Sequence, residues 1–282
     1  MVTVPGRRQA AAFLRTEFDL SERRACRLIG LHRSTSRYAR KRGEDKDLRL
    51  RLRAWAARRP RWGYRMLHWQ LGQDGIAVNR KRVYRLYREE GLRLRRRRRK
   101  HVAAAPREKL PVATRPNERW SMDFMSDEFE DGRPLRLLNV VDDFTRESPG
   151  VAVGRSLPAA RVIECLERAG EEYGWPETIV VDNGPEFASK ALHAWAYRRG
   201  IQLHFIDPGK PVQNAFIESF NGTCRNECLN QELFVDESDA RKKIEAWRWH
   251  YNEERPHSAL GNRTPAEFGR ETRGLRPRTP AD

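Results

Sequence analysis

Residues 118–125 read ERWSMDFM and residues 177–184 read ETIVVDNG. Apolar side chains alternate in the first, and Thr178 to Val181 form a short apolar block in the second, ended by Asn183-Gly184-Pro185. Both patterns predict strands. Each carries one aspartate against the apolar grain, Asp123 and Asp182. Burying a carboxylate in such a strand costs several kcal/mol unless it is paired or bound to a metal.

The pattern extends in both directions. Glu130-Asp131-Gly132 is a turn signal, LRLLNVVDDF (135–144) a second strand and GVAVG (150–154) a third. Residues 157–174 predict a helix with Val162, Leu166 and Ala169 on one face. A helix over 189–200, ended by Gly200, and a strand over 201–206 follow. Residues 214–229 and 238–254 close the series as helices. This β-β-β-α-β-α-β-α-α order predicts an α/β fold, a mixed five-stranded sheet with helices against its faces.

Glu218, on the first closing helix, is the third carboxylate of interest, with 35 residues between it and Asp182. Spacing decides nothing, because Asp131 and Glu167 have the same separation. Asp131 belongs to a hairpin turn, and Glu167 is expected on a solvent-facing helix position. What selects Asp123, Asp182 and Glu218 is context. Three gathered carboxylates suit two Mg²⁺ ions about 3.5–4 Å apart, which activate an attacking oxygen and stabilise a leaving one in phosphodiester transfer. Hard cations want oxygen ligands, and Mn²⁺ is expected to substitute.

Charge separates the chain into halves. The 282 residues hold 56 Lys+Arg and 39 Asp+Glu; residues 1–110 account for 33 and 10 of these, a net of +23, and residues 111–282 for 23 and 29, a net of −6. An arginine-dominated basic front points to a polyanion, with nucleic acid the default partner. Ser21 is a plausible N-cap for a helix carrying Ala25, Cys26, Leu28 and Ile29; Gly30 ends it and a second helix starts near Ser34, a helix-turn-helix-like segment. Leu48, Leu52 and Trp55, then Tyr64, Leu67 and Leu71, mark two further helix faces. In 79–91, Asn79 caps a helix that turns Val83, Leu86 and Tyr87 inward and Arg80, Lys81, Arg82, Arg85 and Arg88 outward, with Gly91 at its end. A basic helix after a turn is how a recognition helix enters a major groove. The block Arg95, Arg96, Arg97, Arg98, Arg99 and Lys100 reads as the start of a linker that tracks DNA backbone.

Cys26, Cys165, Cys224 and Cys228 lack the partners for a zinc site and are expected as small buried side chains. No apolar run reaches the length of a membrane span and no signal peptide is evident, so a cytoplasmic location is expected. The expected domains are a helical segment (1–46), a helix-turn-helix domain (47–92), a basic linker (93–116), a catalytic core with C-terminal helices (117–270) and a tail (271–282).

The motifs WGYRMLHWQL, VNRKRVYRLYREEGL, NERWSMDFM, LLNVVDDFTRE, VDNGPEF, GKPVQNAFIESFNG and YNEERPHSALGNRTPAEF, in this order over residues 20–270, resemble the OrfB-type transposases of the insertion sequence three family. That resemblance implies a ribonuclease H-like core akin to retroviral integrases, with Asp123, Asp182 and Glu218 as the catalytic, metal-holding triad. It implies DNA contacts for Arg225 and for Gln213 and Asn214 in the loop before the glutamate helix. It also implies terminal inverted repeats and target DNA as substrates, OrfA or an OrfA–OrfB fusion as partner, and a homo-oligomer on DNA. Asp142 and Asp143 read as strand-end structure, and His257 as part of a packing element. No HHCC zinc module precedes the core, and Thr223-Cys224 depart from the expected Lys-Phe. Two other readings stand beside this one: a non-catalytic DNA-binding protein that competes for element ends, and a ribonuclease H-like nuclease or junction resolvase.

Overall fold

The computed structural model describes residues 3–37, 45–94, 110–184, 187–207 and 211–274. The chain divides into two compact units, residues 1–50 and 51–282. In the first, α1 (Val4–Glu17), α2 (Glu22–Leu28) and α3 (Arg33–Arg37) are short helices held by local chemistry. Thr3 and Ser21 cap α1 and α2, and Gly30 takes the left-handed turn (φ 62°) that ends α2. Arg37 grips both carboxylate oxygens of Glu22 from α3. Helix α4 (Lys46–Arg58) runs across the boundary into the second unit.

There it is followed by α5 (Tyr64–Gln73) and α6 (Arg80–Glu89). Leu52, Leu67, Leu71, Val83 and Leu86 are fully buried, and the inward face of α6 is as its periodicity requires. The Asn79 side chain accepts from Lys81 N (2.8 Å), and Gly91 has φ 70°, so both ends of α6 are set by the residues the sequence singles out.

The core sheet contains β1 (Arg119–Glu128), β2 (Pro134–Asp142), β3 (Gly150–Gly154), β4 (Thr178–Val181) and β5 (Gln202–Phe205), in the order β3-β2-β1-β4-β5. Strands β1–β3 are antiparallel neighbours, while β4 runs parallel to both β1 and β5. The expected mixed sheet is therefore observed. Strand β2 stops two residues short of the expected Phe144, because the Asp142 carboxylate accepts from the Phe144, Thr145 and Asn117 backbone and turns the chain.

The pleat assigns the two faces. Trp120, Met122, Leu138, Val140, Ile179 and Val181 pack under α7 (Ala159–Tyr173) and α8 (Lys190–Arg199). Met125, Leu137, Val141 and Val153 pack with Ile217, Phe220 and Cys224 of α9 (Ala215–Cys224) and with Ile244, Trp247 and Tyr251 of α10 (Glu237–Glu253). Asp123 lies two residues before Met125 and opposite Asn139, so the period of two turns it toward α9. Beyond α9, residues Arg225–Leu229 widen into a π turn, where the Asn226 amide takes the Gly222 carbonyl at 2.6 Å in competition with the backbone ladder. A final helix, α11 (Pro265–Thr272), starts with a capping box between Thr264 and Glu267, a signature legible in TPAE that the expected elements left out.

One local expectation needs correction. Glu167 does not simply face solvent: it accepts from Trp195 Nε1 (2.7 Å) and Arg199 (3.2 Å), tying α7 to α8. Trp120, Trp195 and Trp247 are buried, and Trp249 is 56% exposed. The four cysteines are all buried and unpaired, as their side-chain size predicts.

Candidate functional site

The site is assembled where three elements end on one face. Asp123 is on β1, and Asp182 directly follows β4. The parallel register pairs Trp120 with Ile179 and Ser121 with Val180, so two residues further on Asp123 comes abreast of Asp182. Glu218 lies exposed in the first turn of α9, the helix that covers this face. The consequence is electrostatic. Burial pushes the Asp123 carboxyl up to about 6, and the nearby charges of Asp182 and Glu218 push the same way. Hydrogen bonds from Phe124 N (2.8 Å) and Asn221 Nδ2 (2.8 Å) hold it back from rising further. The turn after β4 is set by Gly184 N donating to Asp182 Oδ1 (3.0 Å) and by Asn183 Nδ2 donating to the Ile206 carbonyl (2.7 Å).

Asn221 and Asn139 are site residues that the sequence reading missed. Buried Asn139 donates from Nδ2 to Asn221 Oδ1 (2.7 Å), and Asn221 donates onward to Asp123. The signal was present: Asn139 interrupts an apolar strand just as Asp123 does, and Asn221 sits one turn past Glu218 on the same helix face. These amides fix the rotamer of the most enclosed carboxylate.

The other expected site residues are distributed differently. Arg225 turns inward, its Nη1 2.7 Å from Asp127 and its Nη2 on the Ser126 carbonyl, so α9 and the π turn after it clasp β1 at Asp123 and again at Asp127. Gln213 and Asn214 are buried, not splayed toward solvent. Gln213 bonds Asp207 through both its backbone N (2.8 Å) and its carboxylate (3.0 Å), pinning the loop that leads into α9. On α6, Arg80, Lys81, Arg82 and Arg88 are exposed, and Arg85 is half-buried beside Glu89 (2.8 Å). The run Arg95 to Lys100 lies outside the described residues. His257 packs edge-on against Tyr251 (4.8 Å), and burial together with Arg255 and Arg146 pushes its imidazole down to about 3, which fits a packing element. Asp142 and Asp143 are nearly sealed, Asp143 between Arg119 Nε (2.6 Å) and Ser121 Oγ (2.7 Å), and serve the strand end.

Oxygen-only donors around a mutually repelling set suit a hard cation. Among the described residues no three His, Cys, Asp or Glu stand close enough together to enclose a metal ion. Mg²⁺ commonly takes one or two carboxylates and fills its remaining positions with water and substrate phosphate, so the adjacent strand ends bearing Asp123 and Asp182 remain a suitable donor set.

Comparison with known proteins places this arrangement. An integrase core domain matches residues 113–211 and again 199–265, and an HTH-like domain matches residues 43–100. The transposase InsD of insertion element IS2 from Escherichia coli is 28% identical, over 81% of this chain and 80% of that one. The 31.7 kDa protein of insertion element IS407 from Burkholderia multivorans is 47% identical, over 90% of this chain and 92% of that one. The chain belongs to the insertion-element transposase family. Its fold is shared with a chain of the simian T-cell lymphotropic virus intasome, solved with the B56 gamma subunit of PP2A: TM-score 0.53, 17% identity, 82% of this chain and 78% of that one. The sheet order and flanking helices of this transposase-family chain are those of a ribonuclease H-like integrase core. An integrase core beside an HTH-like domain implies DNA as the partner. No described helix is long and apolar enough to cross a membrane.

Proposed function

We propose that this protein is an OrfB-type DNA transposase that binds insertion-sequence ends, hydrolyses the DNA at a 3′ end and joins that 3′-OH to another phosphodiester. Asp123, Asp182 and Glu218 would be the carboxylates that serve the reaction and hold two Mg²⁺ ions, with Mn²⁺ as a substitute. The bound ions supply charge neutralisation at the phosphate and a lowered pKa for the attacking oxygen. The observation that carries this reading is the parallel register that brings Asp123 abreast of Asp182 under the helix bearing Glu218; burial, with the charges of Asp182 and Glu218, pushes the Asp123 carboxyl up to about 6, which a divalent cation would relieve.

The chain's own groups supply the rest. Asn221, itself held by Asn139, keeps Asp123 in one rotamer so that its oxygens face the reacting phosphate. Glu218, exposed at the start of α9, is free to reach substrate. Arg225 braces the helix and strand that present these groups. Arg80, Lys81, Arg82 and Arg88 on α6, together with the run Arg95 to Lys100, hold duplex phosphates, and Arg85 lies on the same helix. The protein would act on the bacterial nucleoid as a homo-oligomer, with OrfA or as part of an OrfA–OrfB fusion. The proposed domains are the helical segment 1–46, the helix-turn-helix domain 47–92, the linker 93–116 and the core 117–270.

The test is Asp182→Asn, assayed on end DNA with and without Mg²⁺. Cleavage and strand transfer should fall to background while DNA binding stays within several-fold. Retained turnover would remove the carboxylate assignment. Nicks without joined products in the native chain would favour a nuclease over a transposase.

A further inference from the structure

A groove of about 970 Å³ lies between the α5–α6 pair and the core, and one wall is the α9 face next to the one that bears Glu218. Its helix-turn-helix wall presents Tyr64 and Tyr84, ring centroids 4.7 Å apart, with Tyr84 42% exposed. Opposite them, Phe216 of α9 carries the Arg146 guanidinium over its ring at 3.7 Å. Arg65 and Arg93 are exposed along the same wall as the tyrosines. No aspartate or glutamate is among the described residues lining the groove.

Arg146 is the distinctive member. It adopts a left-handed backbone (φ 65°), its guanidinium is partly enclosed, and its Nη1 is buried without a hydrogen-bond partner. Arg255, which also reaches the groove, is by contrast committed to Glu227 through two 2.8 Å bonds. Asp143 and Asp142 act on Arg146 only through space, so an enclosed cation that hydrogen-bonds no counter-ion, set on an aromatic ring at the edge of a groove lined by no acid, can receive an anion. Arginines alone would suit any phosphate. Arginines interleaved with aromatic faces suit a strand whose bases are unstacked, because a duplex keeps its base faces to itself.

We propose that this groove binds unpaired nucleotides of the DNA being processed, with bases against Tyr64, Tyr84 and Phe216 and phosphates on Arg65, Arg93 and Arg146. The inference rests on the transposase reading for the presence of DNA, and is independent of the carboxylate assignment. It gives a bared strand a place to lie one helix face away from Glu218, so that separated strands are held while one of them reacts.

The experiment uses the full chain in EDTA, so that metal and turnover play no part. Fluorescence anisotropy would follow a labelled oligothymidylate of about 15 nucleotides, near the upper site size of a single-strand groove, and a labelled mixed-sequence duplex of similar length. Tyr84→Ala and Arg146→Gln should each weaken oligothymidylate binding about tenfold and leave duplex binding within about threefold, which also reports an intact fold. Tyr84→Phe, which keeps the ring, should bind like the native chain. Asp182→Asn should bind oligothymidylate normally even if it abolishes cleavage, so a failure of the groove and a failure of the carboxylate assignment give different results. Equal losses on single strand and duplex, no loss at all, or displacement of oligothymidylate by polyglutamate at equal charge would each overturn the proposal.

Discussion

Removing the Asn221 amide should change how strongly protons compete with Mg²⁺ at Asp123. The Asn221 Nδ2 hydrogen bond (2.8 Å) favours the ionised carboxyl, which burial, Asp182 and Glu218 push up to about 6. A hydrogen bond to a charged group is worth about 1.5–3 kcal/mol, and each pKa unit is about 1.4 kcal/mol, so Asn221→Ala should raise Asp123 to about 7–8. The ionised form binds the cation; as pH falls through the pKa, the half-saturating Mg²⁺ concentration is multiplied by 1 + 10^(pKa − pH). Near pH 6 that factor is about 2 for the native chain and about 11–100 for the variant, whereas near pH 8.5 both lie close to 1. Mg²⁺ titrations of DNA cleavage across this range should therefore converge at high pH and diverge at low pH. If the variant cleaves too slowly, Mg²⁺-dependent thermal stabilisation reads the same affinity. A variant-to-native ratio that stays constant with pH would show that Asn221 acts by shape alone and would refute the electrostatic argument.

Two further outcomes are expected. His250, 6% exposed, is pushed down to about 3 by burial and by Arg59 and Arg255, and Glu254, 3.6 Å from its Nε2, is itself held by Arg59. It stays neutral in the native state while the unfolded state takes up a proton below about pH 6.5. Stability is thus lost as pH falls below that value, by about 2 kcal/mol near pH 5. His250→Leu should remove that part of the pH dependence in urea unfolding, and an unchanged pH slope would contradict it. For duplex DNA, contact with about 6–10 phosphates gives a log–log salt slope of about −5 to −9; changing both Arg82 and Arg88 to alanine should make it shallower by about 2 units. An unaltered slope would place α6 off the DNA.

Much of the core was legible because its patterns are local. Thr178–Val181 is a strand as read, Gly150 starts β3 at the sheet edge beside Pro149, and the Asn79 and Gly91 boundaries of α6 hold. Asp123 and Asp182 stood out because each breaks an apolar run. The same logic applied to Asn139 would have found the amide relay. What a sequence pattern does not carry is direction. Arg225 has the spacing of a residue that reaches past Glu218 to DNA, yet Asp127 and the Ser126 carbonyl draw it inward. Gln213 and Asn214 occupy a loop in the sequence but a buried position in the fold, because Asp207 offers a hydrogen-bond partner six residues away.

By itself, then, the sequence determined which elements form and which residues carry charge against their surroundings, since hydrophobic period, caps and turns act over a few neighbours. Tertiary structure alone decided what those residues face. The parallel register of β1 and β4 sets Asp123 beside Asp182, the packing of α9 over that face adds Glu218 and Asn221, and the seat of α5 and α6 against the core leaves the Arg146 groove open. These juxtapositions join residues up to about two hundred positions apart, and local pattern cannot select them; burial of apolar surface summed over the whole core does.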